Sequence, residues 1–280
     1  MVHAAKSWEK YHAETRVFDA VLEHAKAVSA SLVGVTVPSP HVGYGEQLFV
    51  KLLSHCISLR RLMPDPSRRT PTEFWDVSSL SSLARCAIEA HDAFEYIAGH
   101  PASDQERELR LLLWRFHDKT RRSRIAEAIG STDPRANQIR SDAAQLKSEL
   151  EGHPLYQTLR TNIQRKVAEG DPPEFHLSKR ERCAASKVDF DYYNAITMQL
   201  SQHVHSSPYS VHQLFEFKAG SQAALHLMSM PSQFTLPFLS RVTQGISELM
   251  PRTTPMPPSR TAQSMELWRR ISEKGLKDAA

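Results

Sequence analysis

Glycine is scarce in this chain, 10 residues in 280, and the three cysteines (Cys56, Cys86 and Cys183) are odd in number and far apart. Each shortage excludes something. No phosphate loop, dinucleotide fingerprint or nucleophile elbow occurs anywhere. Three separated cysteines cannot frame a disulfide scaffold and fit reduced thiols in a cytosol. There is no paired-cysteine metal motif, and neither a metal nor a cofactor is expected. A strong charge of one sign is also missing. The 35 basic and 31 acidic residues leave +4, too little to demand a nucleic-acid partner, although a pI near 9.0 permits one. The longest uncharged run, between Lys218 and Arg241, carries several Ser and Gln plus Pro231 and Pro237, which argues against a bilayer span. No secretory apolar segment follows Met1-Val2-His3-Ala4-Ala5-Lys6. A soluble cytoplasmic protein with no membrane partner is the expectation.

What is present is helical periodicity. Hydrophobic residues make up 40% and the mean hydropathy is −0.44, enough for a modest core. No sustained period-two alternation appears, and long 3.6-residue patterns dominate, so the predicted fold is all-α, a single multi-helix bundle. Helices are predicted over roughly 5–32, roughly 45–63 and roughly 77–99, the last capped by Asp76. Ser103 with Glu106, and Ser178 with Glu181, have the capping-box spacing. Thr132-Asp133-Pro134 opens another helix. A further helix runs from about Val188 to His205, and a last short one lies around Met265 to Ser272. The predicted organisation is a helical domain over 1–250, with a candidate break at 171–173, followed by a Pro-rich linker and short helix over 251–280. One continuous domain is preferred to two, because each half is short of apolar surface for its own core.

Two of these helices carry polar stripes. At about 100° per residue, Arg85, Glu89, Asp92 and Tyr96 align opposite an apolar face of Leu80, Leu83, Ala87, Ala90, Phe94 and Ile97. On the later helix Asn194, Ser201 and His205 line up beside Tyr193, Ile196, Leu200 and Val204. A third feature is the strip Arg110, Arg115, Arg121, Arg122 and Arg124, interleaved with Trp114, Phe116 and His117. Such a strip can track phosphates and stack a base.

The set Ser82-Leu83-Ala84-Arg85, Glu89 and Tyr96, then Tyr193, Leu200-Ser201 and His205-Ser206, resembles a large bacterial family of unknown function. Its members are all-helical cytoplasmic proteins with an Arg-x-x-x-Glu helix and a later Tyr…Leu-Ser-x-x-x-His segment. The resemblance covers about Leu48 to Met250 and implies that Arg85, Glu89, Tyr193, Ser201 and His205 form one site. A more distant similarity is to the HEPN-like helical domains, many of them metal-independent ribonucleases with an Arg-x4–6-His motif. Both Arg85-x5-His91 and Arg110-x6-His117 fit that spacing. Cys86, however, stands where those enzymes carry a polar residue, and Arg85 and His91 are about 120° apart on a helix.

Two functions follow as expectations. In the first, a defence or stress effector acts on RNA. His205 is its general acid/base, Arg85 stabilises charge on a phosphate, and Glu89 holds the guanidinium. In the second, a non-catalytic binding or scaffold protein uses the same residues as a structural polar network. The two separate on the burial of Arg85 and on whether it meets His205. Oligomeric state is left open.

Overall fold

The computed structural model describes residues 8–65, 75–205, 207–216, 218–219 and 221–275. Among them are eleven α-helices and no strand, so the fold is all-α as expected. The helices are α1 (Trp8–Ser31), α2 (Pro40–Leu62), α3 (Val77–Phe94), α4 (Asp104–Ala128), α5 (Arg135–Glu151) and α6 (Thr161–Ala168). They continue as α7 (Lys179–Ala185), α8 (Phe190–Val204), α9 (Pro208–Glu216), α10 (Gln222–Leu249) and α11 (Ser259–Lys274). A π-helical turn, Glu95–Gly99, continues α3. The start of the first expected helix, most of the proline-containing loop after Met63, and Ser206 lie outside the described residues. None of the described helices is long and apolar enough to cross a membrane.

The expected start signals act as caps. The Asp76 carboxylate accepts the Ser79 N–H at 2.9 Å, and Ser103 Oγ accepts the Glu106 N–H at 3.2 Å. Ser178 and Glu181 form a reciprocal box, with Glu181 N to Ser178 Oγ at 3.3 Å and Ser178 N to Glu181 Oε2 at 2.7 Å. Glu106 departs from the pattern, since its carboxylate turns to Arg110. α2 begins earlier than its apolar pattern suggested because Pro40 sits in the first turn, where a missing N–H costs nothing. α10 carries Pro231 and Pro237 in its interior, where proline ordinarily breaks or kinks a helix.

The chain forms two compact units, one of residues 1–95 with 183–280 and one of residues 96–182. In the first, α10 packs against α1, α2, α3 and α11, and every residue from Pro231 to Thr243 is buried. A helix covered on all sides must satisfy its own hydroxyls. Thr235 donates to the Pro231 carbonyl at 2.8 Å and Thr243 to Leu239 at 2.7 Å. α3 packs against α2, α8 and α10 and buries Leu80, Ala84, Ala87, Ile88 and Phe94. α11 belongs to this unit, so the C-terminal helix joins the core that begins at α1.

In the second unit, Leu109, Leu113 and Phe116 of α4, Leu146 and Leu150 of α5, and Ile163 and Val167 of α6 share one core. The candidate break at 171–173 lies inside this unit. Side chains of α4 hold it there: Arg124 pairs with Asp171 at 2.7 Å, and His117 Nδ1 donates to the Pro172 carbonyl at 2.9 Å.

Gly245 of α10 faces the fully buried ring of Phe94, and a Cβ there would lie 2.8 Å from Phe94 Cε1 and 3.1 Å from Cζ. Helix propensity favours alanine by about 1 kcal/mol, whereas forced overpacking costs about 1–3 kcal/mol. Gly245→Ala is therefore expected to lower the urea midpoint. A raised midpoint would show that the Phe94 ring yields at little cost.

Candidate functional site

α3 and α8 lie side by side and antiparallel. Asp92 meets Tyr193 near one end, and Val77 and Ser81 line a small pocket with Leu200 and His203 near the other. Arg85 Nη2 lies 3.0 Å from Glu89 Oε1, the two side chains being 23% and 57% exposed. Such a half-open pair contributes at most about 1 kcal/mol. The other guanidinium nitrogen, Nη1, is buried without a hydrogen-bond partner among the described residues. Tyr193 Oη donates to Asp92 Oδ2. Burial, then the Asp92 carboxylate, push the Tyr193 pKa far up, against the opposing pull of Arg85, so the phenol stays protonated and donates.

The remaining expected members stand apart. Ser201 Oγ donates back to the Thr197 carbonyl of its own helix at 2.7 Å. His205 is exposed at the C-cap of α8, its backbone N–H donating to Ser201 at 3.2 Å. Among the described residues, neither Ser201 nor His205 bonds to Arg85 or Glu89. Ser201 is turned back on its own helix, and His205 lies just past Val204, the last residue of α8. The structure thus joins Arg85 to Glu89 and Tyr193 to Asp92, and leaves Ser201 and His205 out.

Three residues outside the expected site sit deeper. His91 is buried edge-on to Phe238 at 4.8 Å, with Nδ1 3.3 Å from Asp92 Oδ1. Its Nε2 is 3.7 Å from Glu95 Oε1, too long for a hydrogen bond. Burial raises the Glu95 carboxyl above the usual carboxylate range, and His91 and Arg241 pull against that shift. Arg241 of α10 satisfies its guanidinium on Ser272 Oγ at 2.9 Å, the Ser186 carbonyl at 2.8 Å, the Lys187 carbonyl at 3.2 Å and Glu273 at 3.0 Å. Lys187 presents its carbonyl from a left-handed backbone, φ 55°. One signal for Arg241 was visible: it ends the longest uncharged run, and a cation in an apolar helix must find acceptors. Among the described residues, no cluster of His, Cys, Asp and Glu is arranged to hold a metal.

In the second unit the basic strip is largely engaged. Arg110 is a correction: it is 4% exposed, donates to the Tyr96 carbonyl at 2.7 Å, pairs with Glu106, and lies 5.0 Å from the Tyr96 ring centroid. A phosphate cannot reach it. Arg121 and Arg124 share Asp171 at 3.3 and 2.7 Å, and Arg122 pairs with Asp118 at 2.8 Å. Arg115 is exposed and makes no ion pair among the described residues. Phe116 is buried, and Trp114 leans on Phe175 at 5.8 Å.

No family model, curated protein or solved structure matches the chain. Both resemblances noted above therefore rest on short motifs alone, and the geometry has to carry the functional argument.

Tyr193→Phe is expected to cost about 1–3 kcal/mol, because a buried carboxylate loses a donor. Arg85→Met is expected to change stability by no more than about 1 kcal/mol. Urea denaturation of both variants checks the contrast. The second unit has its own pH signature. Tyr96 Oη and His176 Nδ1 share a hydrogen bond at 2.7 Å, and burial, then the Arg110 charge, lower the His176 pKa to about 4. The folded chain thus holds this proton less tightly than the unfolded chain. The His176 contribution is complete above about pH 6.5 and is lost as pH falls toward 4. His176→Gln is expected to shrink the drop in urea midpoint between pH 7 and pH 5. An unchanged drop would place the pH sensitivity elsewhere.

Proposed function

We propose that this chain is a non-catalytic helical binding or scaffold protein, in which the α3–α8 polar residues are a structural seam. One observation carries the reading: the seam's groups pair with each other, Arg85 with Glu89 and Tyr193 with Asp92, while His205 stands exposed beyond the helix end. A general acid/base must come within hydrogen-bond reach of the atom it protonates, and no hydrogen bond or ion pair joins His205 to Arg85 or Glu89 among the described residues. The engaged arginines of α4 add support, because charges already paired in place give little counterion release on RNA. Three cysteines outside any disulfide fit a reducing compartment, and we place the protein in the cytosol on that ground.

The test is direct. The purified full chain, with Arg85→Met and His205→Ala variants, is incubated with labelled single-stranded RNA while melting temperatures are followed. The expected result is no cleavage by any of the three proteins. Cleavage by the native chain that both variants lose, at unchanged melting temperature, overturns the scaffold reading in favour of an RNA-acting enzyme.

A further inference from the structure

An unexplained feature of the first unit is a cavity of about 370 Å³. One wall is His24 of α1; a second is the last turns of α10 with Gln244, Ser247 and Glu248. The proline strap that follows, with Met256 on it, and Met265 and Glu266 of α11 close the rest. Its size falls within the usual range for small-molecule sites, and its lining follows their plan of an apolar body with a few polar points.

Two of those polar points are open to a ligand. His24 is only 7% exposed, lines the cavity, and makes no hydrogen bond or ion pair with any described residue. Its ring nitrogens are not fully buried, so a ligand atom in the cavity can take the place of water on them. Glu248 stands at the exposed rim. Its one hydrogen bond is from Gln244 Nε2 at 2.8 Å, and it forms no ion pair among the described residues. Glu266, by contrast, is already held by Arg269 at 2.8 Å and Arg270 at 2.7 Å. No lysine or arginine is among the lining residues, and Arg269 and Arg270 behind Glu266 are held by its carboxylate.

We propose that this cavity binds a small amine with an apolar body and a second hydrogen-bonding group, a hydroxylated aralkylamine being the simplest such compound. The body packs against Met256, Met265 and the prolines, whose flexible thioethers adapt to an irregular shape. The ammonium pairs with Glu248 at the rim. The hydroxyl meets His24, whose pKa burial lowers, so that the neutral ring has both a donor and an acceptor to give. This inference goes beyond the scaffold reading and shares no residue with the α3–α8 seam.

The full chain is titrated by calorimetry with tyramine, phenethylamine and 4-hydroxyphenylacetate. Tyramine is expected to bind most tightly, phenethylamine about tenfold more weakly, and the acid not at all at millimolar concentration. Glu248→Gln, an exposed and nearly isosteric change, is expected to weaken tyramine about tenfold. His24→Phe is expected to erase the preference for tyramine over phenethylamine. Because His24 is buried, a melting curve accompanies that variant, and Glu248→Gln decides the matter if it fails to fold. No heat with tyramine, equal binding of amine and acid, or an unchanged tyramine affinity in Glu248→Gln overturns the proposal. Each of these outcomes leaves the RNA experiment untouched.

Discussion

A guanidinium inside a helical core has to be surrounded by acceptors, and the arrangement of the first unit turns on how Arg241 meets that demand. Its partners come from the α7–α8 connection and from α11, so one side chain of the central helix fixes two separate stretches of chain to it. The same Ser272 that accepts from Arg241 also accepts, through its backbone carbonyl, the Asp189 N–H at 2.8 Å. Asp189 in turn caps α8, taking the Tyr192 N–H at 2.7 Å. The position of α8, and with it the meeting of Tyr193 and Asp92, is thus tied to an arginine on another helix. Removing one partner of such a buried charge costs several kcal/mol, because the charge stays behind uncompensated.

The fold was legible where one physical signal dominates. Period-3.6 patterning and side-chain caps act within a few residues, so Asp76, Ser103 and Ser178 announced their helices correctly. α10 was harder to read. Prolines and a run of serines, threonines and glutamines look like interruption, yet hydroxyls bonding one turn back let a buried helix carry them. The division into units was not legible, because the contacts that decide it, such as Arg124 with Asp171, join residues far apart in sequence.

The candidate site was legible only in part. Helical spacing correctly put Arg85 within reach of Glu89 and set Asp92 on the same line. What spacing cannot supply is the axial register of one helix against another. A stripe on α8 contains Tyr193 at one end and His205 beyond the other, and only packing decides which of them faces α3's acidic residues. Burial within the basic strip was hidden for a related reason: Arg110 and Arg115 are similar in sequence context, but one is packed on the Tyr96 ring and the other lies in solvent.

The interruption of the first unit between residues 95 and 183 has a consequence for the order of assembly. Residues 96–182 form a continuous stretch whose helices meet their chain neighbours, so this unit can close as soon as it has left the ribosome. The flanking unit cannot. α10, the helix that α1, α2 and α3 pack around, is made late, and those three must wait for it with apolar faces uncovered. A middle segment that is already folded shortens the loop whose ends must then meet. Because closure entropy grows only slowly with loop length, by about 0.6 kcal/mol per doubling, the gain in rate is modest. The greater hazard is the interval itself, during which the half-made core is exposed to aggregation and to chaperones.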